Sequence, residues 1–591
     1  PDARTELCCL PGAERGAADE MPFFVHFNAL CDARNPALYK YPFMRLIMTP
    51  PLEIENLLPY SMQLCVIDKT AGRKWISALD RGAVAAVHAV QPAHLVLLTI
   101  RIPDAGFERC DGSIIETSDD DEYPVDDTIT VIDRHDISLA LRLHRMDVSG
   151  SGGRCRRISI YAPYVMVNRS GLKLFYSSKG FFKGVSAVAG QNLQQNAPRN
   201  ADDVAPSRQA NEDAQPLMFS FGSYDLKNRA LVRVAGSEWS RPLSFDALGS
   251  AAEVVIPASN KLADTHLGIQ IEPGRGRYSH TRVVTFTSRY VIKNTTGLAL
   301  QYRSVYNSES ASIIRDGERQ PMHTLLRARR RLLTIACAAS DSNGRLKADI
   351  QGARWSAPFS MDDVGRGYVR MPTSAFEEVL VKIDVVLEGA CLFVILQRED
   401  RYWPYVIENL TSIDITVWQI AESKHGESSQ AAAAGGYAAA GQGSPVRRAA
   451  TLPASSAATA ERKYTVKAGE TLDYAWDVPT ATNKLLVVSA QGATRKVSLQ
   501  EIGEQRPFVY GRPPLPPTTS AGRRSMALAQ QRAIAECTMN IEVVAAGPRQ
   551  VLRLTGYTPE HSLYMPPVAG SSGIVGPRVS RTSTTQTSAT Q

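Results

Sequence analysis

Three asparagines stand where chemistry would be sought first. Asn168-Arg169-Ser170, Asn294-Thr295-Thr296 and Asn409-Leu410-Thr411 each fit the acceptor pattern for an N-linked glycan. Read that way, the chain is an extracellular β-sandwich repeat glycoprotein with an adhesion or binding role. The competing reading is conformational, because Asn tolerates left-handed backbone angles and its side chain bonds the backbone two residues on. All three sites fall at the corner between two apolar runs, and a fourth such corner, Asn56-Leu57-Leu58, is no sequon. A turn therefore explains all four positions and a glycan only three. Other chemistry is sparse. There is no Gly-rich phosphate loop, no Gly-x-Ser-x-Gly elbow, and no Cys-x-x-Cys or His-x-x-x-His pair at ligand spacing. The ten histidines are scattered, Cys8 and Cys9 are adjacent, and the carboxylates from Asp119 to Glu122 read as a solvated acidic patch rather than an acid/base pair. No catalytic residue, metal site or cofactor is expected, and the chain reads as non-enzymatic.

The elements that position these corners belong to a long chain. At 591 residues it exceeds one hydrophobic core and calls for about three to five folding units. No apolar stretch reaches the ~18 residues of a membrane helix. A net charge of +7 is weakly basic for this length, and the short arginine runs Arg327 to Arg331 and Arg523 to Arg524 lack interleaved aromatics, so nucleic acid is not expected as a partner. The nine cysteines are odd in number, and Cys65, Cys337 and Cys391 sit in apolar runs, which suits free thiols in a reducing compartment. The N-terminus, PDARTELCCLPG, reads as a cut end rather than a targeting signal.

Internal repetition organises the chain. The segments PLEIENLLPYSMQLCV, APYVMVNRSGLKLFY, SRYVIKNTTGLALQY and WPYVIENLTSIDITVW centre on Asn56, Asn168, Asn294 and Asn409, at intervals of 112, 126 and 115 residues. Each alternates apolar residues before and after the Asn and reads as two strands around a hairpin corner. A second landmark, Trp-Ser-x-Pro-x-Ser-x-Asp, begins at Trp239 and Trp355, with Tyr474-Ala475-Trp476-Asp477 at the equivalent place in the last unit. These tryptophans lie 71, 61 and 67 residues after their asparagines, whereas Trp75 follows Asn56 by only 19. Asn56, Asn168, Trp239, Trp355 and Trp476 are thus expected to be structural, the tryptophans as core.

The expected fold is all-β: a tandem array of about four antiparallel β-sandwich-like repeats with disordered insertions. The boundaries read as residues 1–50 for the end of a preceding repeat, 51–157, 158–283, 284–398 and 399–510 for the repeats, 511–537 for a linker, 538–568 for the start of a following domain, and 569–591 for a disordered tail. Biased composition marks 187–215, 421–462 and 512–530 as loops, and 119–127 as an acidic one.

The Asn-centred segments, the closing Tyr-Ala-Trp-Asp-Val-Pro at 474–479 and Gly-Pro-Arg-Gln-Val-Leu-Arg-Leu-Thr-Gly-Tyr at 547–557, in this order and spacing, resemble the adaptor-binding region of the vacuolar protein sorting-associated protein 13 family. The resemblance runs from about Met21 to Tyr557. It implies the last four of six repeats in a bridge-like lipid transfer protein, and no enzymatic activity. The implied partners are organelle-resident adaptor proteins carrying Pro-x-Pro motifs, with membranes reached indirectly. The implied place is cytoplasmic, peripheral at organelle membranes and membrane contact sites, with roles in intermembrane lipid transport and vacuolar protein sorting. The peptide groove is implied in the repeats headed by Asn294 and Asn409. An added peptide strand suits an open sheet edge, since prolines pre-set the extended form. Arg512-Pro-Pro-Leu-Pro-Pro517 reads as an extended linker, or as a tethered peptide that competes for such a groove.

Overall fold

The computed structural model describes residues 5–10, 23–31, 44–91, 94–116, 125–134, 136–148, 155–178, 215–221, 228–249, 251–259, 263–307, 309–327, 330–340, 345–373, 377–420, 462–511, 535–558 and 562–564. The expected loops at 187–214, 421–461 and 512–530, the carboxylates 119–122, the proline-rich 512–517 and the tail lie outside them. Among the described residues the named elements are strands, apart from two 3₁₀ turns at Pro103–Ala105 and Gly276–Tyr278. No helix among them is long and apolar enough to cross a membrane. The all-β expectation holds.

Two compact units divide the chain: residues 1–289 with 322–324 and 389–391, and residues 290–321, 325–388 and 392–591. The first opens on a three-stranded antiparallel sheet, Thr5–Leu10, Phe23–Cys31 and Met44–Thr49. Two repeats follow. The first repeat faces a sheet of Ser113–Glu116, Val96–Arg101, Met62–Asp68 and Arg73–Leu79 with one of Val84–Val87, Leu52–Asn56, Arg156–Tyr161, Ser138–Asp147, Asp126–Asp133 and Phe107–Cys110. Alternate residues of both sheets, such as Ile54, Leu64, Leu98, Leu141 and Ile158, meet in a common core with those of the second repeat. Asp126 and Asp127 begin a strand rather than belonging to a loop, and Asp127 pairs with the buried Arg145 at 3.2 Å.

The strand that ends in the motif Asn closes each repeat by pairing in parallel with the repeat's last strand. Leu52–Asn56 lies along Arg156–Tyr161, Tyr164–Asn168 along Arg282–Ser288, Tyr290–Thr295 along Cys391–Arg398, and Tyr405–Leu410 along Arg549–Gly556. Parallel neighbours need a long crossover, so most of each repeat must be threaded before its seam can form. Ion pairs hold two of the seams at matched positions: Arg157 to Glu53 at 2.7 Å and Arg553 to Glu408 at 3.0 Å.

Two expectations change. The strand after each Asn does not return beside the strand before it but enters the opposite sheet, as Met62–Asp68, Leu174–Ser178, Leu300–Ser304 and Ile415–Gln419 do. The corner is therefore a crossing between sheets and not a hairpin. Period-two alternation reads the same in both, because it specifies faces and not partners. The second change concerns Thr538–Ala546 and Arg549–Gly556, expected to start a following domain. They close the fourth repeat's own sheet, burying Met539, Ile541, Val543, Leu552 and Leu554 against Ile407, Tyr474 and Trp476. The boundaries near 157 and 283 likewise cut the closing strands Arg156–Tyr161 and Arg282–Ser288.

Five such side chains at roughly 2 kcal/mol each contribute about 10 kcal/mol, comparable to the whole stability of a domain. A chain ending at residue 537 should lose the fourth repeat's cooperative unfolding. Differential scanning calorimetry checks this; an unchanged set of transitions would mean that the seam is dispensable.

Candidate functional site: the asparagine clamp and the paired last repeats

At each crossing the Asn carboxamide donates and accepts at once. In the fourth repeat Asn409 Nδ2 donates to the carbonyls of Ile413 at 2.8 Å and of Val466 and Lys467 at 3.0 Å, while Oδ1 accepts from the Thr411 amide at 3.1 Å and hydroxyl at 2.6 Å. Asn294 repeats this with Leu298 at 2.7 Å, Ile314 at 3.2 Å, and the amide and hydroxyl of Thr296 at 3.1 and 2.8 Å. Asn56 bonds Tyr60, Leu79 and Asp80 and accepts from Leu58, and Asn168 bonds Leu172 and accepts from Ser170. The main chain joins in: the Asn carbonyl accepts from Gly82, Gly317 or Gly469 at 2.8 Å. Those glycines hold φ of 71°, 76° and 77°, a left-handed turn that favours Gly. No other neutral side chain but Gln offers this pairing of donors and acceptor, and Gln is one methylene too long.

Asn56, Asn294 and Asn409 have no solvent exposure. Asn294 and Asn409, implied by the resemblance to lie in the peptide-binding region, are thus closed off from contact in this fold. The same burial bears on the glycan reading. Nδ2 of Asn294 and Asn409 is spent on carbonyls, and the Thr two residues on is there to bond Oδ1. The sequon pattern is one form the clamp takes, and Asn56 makes it with the Leu58 amide alone.

The tryptophan landmarks divide. Trp476 is buried in the fourth core. Trp239 and Trp355 are only half-buried and carry the guanidinium groups of Arg233 and Arg303 at 4.7 and 4.1 Å from their rings, which corrects the core expectation for these two. What the landmark buries instead is the next residue. Ser240 pairs with Val232 through its amide (2.8 Å) and Oγ (3.0 Å), and Ser356 pairs with Ile335 (2.8 and 3.1 Å) in the same way. Its terminal carboxylate then takes the tyrosine that starts the Asn strand: Tyr164 donates to Asp246 at 3.0 Å and Tyr290 to Asp362 at 2.6 Å. Burial and the Asp246 charge push the Tyr164 hydroxyl up to about 12. Cysteines are spent on packing too; burial raises the Cys155 thiol to about 11.

Among the described residues, several strands of the second unit lie at the edges of their sheets. Gly365–Pro372 and Arg319–Met322 border the third repeat's larger sheet, Thr471–Tyr474 and Gly503–Val509 the fourth's, and Tyr464–Val466 and Ala493–Ser498 the fourth's smaller sheet. Gly503–Val509 is broken between Gln505 and Phe508, where Pro507 sits; Ala493–Ser498 is unbroken along its partner.

Asn409→Ala should destabilise the fourth repeat by about 3 kcal/mol, because three carbonyls and an amide lose their partner inside the protein. Asn409→Asp should do no better, since a carboxylate cannot donate to carbonyls; a chemical-denaturation series measures both. Glycosidase treatment of natively expressed material should leave the mass of peptides holding Asn294 and Asn409 unchanged.

The adaptor binding domain of vacuolar-sorting associated protein 13 matches residues 5–483. The intermembrane lipid transfer protein VPS13 of Chaetomium thermophilum is 32% identical over 542 residues, which is 92% of this chain and 15% of that protein. Human VPS13D is 21% identical over 512 residues, covering 83% of this chain and 10% of its own, and vps13E of Dictyostelium discoideum 24% over 414 residues, covering 62% and 9%. The chain thus spans about a seventh or less of the relatives it matches. With a family model covering most of its length, this all-β repeat array belongs to the vacuolar-sorting associated protein 13 family and carries its adaptor binding domain.

Proposed function

We propose that the chain is the recruitment module of a lipid transfer protein, binding Pro-x-Pro peptides of organelle-resident adaptors in the repeats headed by Asn294 and Asn409. The observation that carries this reading is the match to an adaptor binding domain over a chain whose last two repeats form one compact unit with strands at the edges of its sheets. An extended peptide can pair its main chain with such an edge while its prolines keep it extended. Half-buried aromatics near the third and fourth repeats' meeting point, Tyr368, Trp403 and Tyr464, offer flat apolar faces suited to proline rings. The longer protein would move lipids between membranes, as its relatives' names say of them. This piece would hold it, through adaptors, as a cytoplasmic protein peripheral to organelle membranes and contact sites, with a part in vacuolar protein sorting. No step of catalysis enters this role.

Fluorescence anisotropy of a labelled Pro-x-Pro peptide, titrated with the whole chain beside a control peptide whose prolines are alanine, tests the reading. Saturable binding of the first and at least a tenfold weaker response to the second is expected, about 1.4 kcal/mol of discrimination. Equal binding of the two, or none, would contradict it.

A further inference from the structure

Two guanidinium groups join the third repeat to the fourth, and Arg370 makes the more extensive contact. Arg370 lies on the edge strand Gly365–Pro372 of the third repeat, and its Nη1 donates to the Tyr464 hydroxyl at 2.7 Å and its Nη2 to the Ala475 carbonyl at 2.8 Å, both in the fourth. Its centre lies 4.9 Å from the ring of Tyr464, 5.4 Å from Tyr474 and 5.0 Å from Trp403. The aromatic box continues edge to face, Tyr464 on Tyr474 and Tyr474 on Trp476, with ring centres 5.8 and 5.6 Å apart. Tyr464 passes its own proton toward Asp477 at 2.6 Å, and Arg462 of the fourth repeat reaches back to Glu378 of the third at 2.7 Å.

Asp246 draws its cation, Arg282, from its own repeat, at 2.7 Å, and Asp362 draws Arg331 from its own at 3.1 Å. In the fourth repeat the landmark's carboxylate, Asp477, takes the Tyr464 hydroxyl, which Arg370 of the repeat before it also meets, and it lies near Arg462 of its own repeat. The arrangement is also expensive. Arg370 Nε, Tyr474 Oη and Asp477 Oδ2 are buried without a hydrogen-bond partner, and burial raises the pKa of Asp477 from its ordinary value despite two nearby arginines. An apolar contact would hold two domains together at less cost. What a planar fork adds is direction: two bonds along fixed axes and a flat face stacked in a ring box allow few relative orientations.

We infer that Arg370 sets the angle between the third and fourth repeats and so acts as a positioning residue for any peptide that spans them, the second clause resting on the peptide reading above. Lysine at this place keeps the charge and loses the fork. An uncharged pair, Arg370→Leu with Asp477→Asn, keeps both places filled and loses both charges, which guards against a variant that merely fails to fold.

The test uses the whole chain with spin labels carried by unnatural amino acids at positions 366 and 467, both exposed and one in each repeat. Distances by pulsed electron resonance should be narrow in the parent and roughly doubled in spread in Arg370→Lys and in the double variant, with thermal unfolding of the double variant close to the parent's. Peptide affinity should fall about tenfold in both, as an orientation populated a tenth of the time would require. Unchanged distance distributions in both variants overturn the inference. A widened distribution with unchanged affinity overturns the positioning clause. If the parent binds no peptide, the peptide reading fails, and the distances alone still decide whether Arg370 sets the angle.

Discussion

The carboxamide that ends each repeat's first strand sits where the chain leaves one sheet for the other, and it bonds peptide groups around that crossing. A crossing of this kind turns main-chain donors and acceptors inward, away from both ladders and from water. Asn answers with two N–H donors and one acceptor on a stem short enough to stay inside the turn. Asn409 satisfies three carbonyls and one amide in this way. From that point the rest follows: the second strand can enter the opposite sheet, the two sheets can face each other, and the first strand is left with a free edge for the closing strand to pair along.

That dependence explains why each repeat is long and closed. The parallel seam joins residues far apart in the chain, Ile54 to Ile158 and Ile407 to Leu552 among them. Loops between can vary widely in length with small entropic cost, since closure entropy grows only with the logarithm of loop length. A repeat therefore tolerates insertions such as those between Gln419 and Arg462 while its seam, clamp and core stay in place. Function is then free to reside on edges and joints rather than in the core.

Much of this was legible in the sequence, and the failures are instructive. The Asn spacing, the strand alternation and the family resemblance follow from short-range patterns that repetition amplifies. The left-handed glycines at 82, 317 and 469 carry no shared local pattern that ties them to their asparagines. Partner choice was not legible. Alternation at Val165 and Val167 specifies a face, whereas pairing with Arg282–Ser288 is a property of the whole repeat, and the last seam hid in a strand pair that looked like a new beginning. Trp239 and Trp355 misled because a large aromatic suggests a core, while here an arginine covers each ring. Arg370 had no signal at all, being one arginine among many until its two repeats are placed side by side.

Native-state hydrogen exchange at the amides that the clamps hold, those of Leu58, Thr296 and Thr411 with Gly317 and Gly469, tests the central claim most directly. The account predicts that they exchange only with unfolding of their repeats, as slowly as core-strand amides, although they lie in turns. Exchange at the rate of ordinary exposed turns would show that the crossings open freely and that the buried asparagines do not hold them.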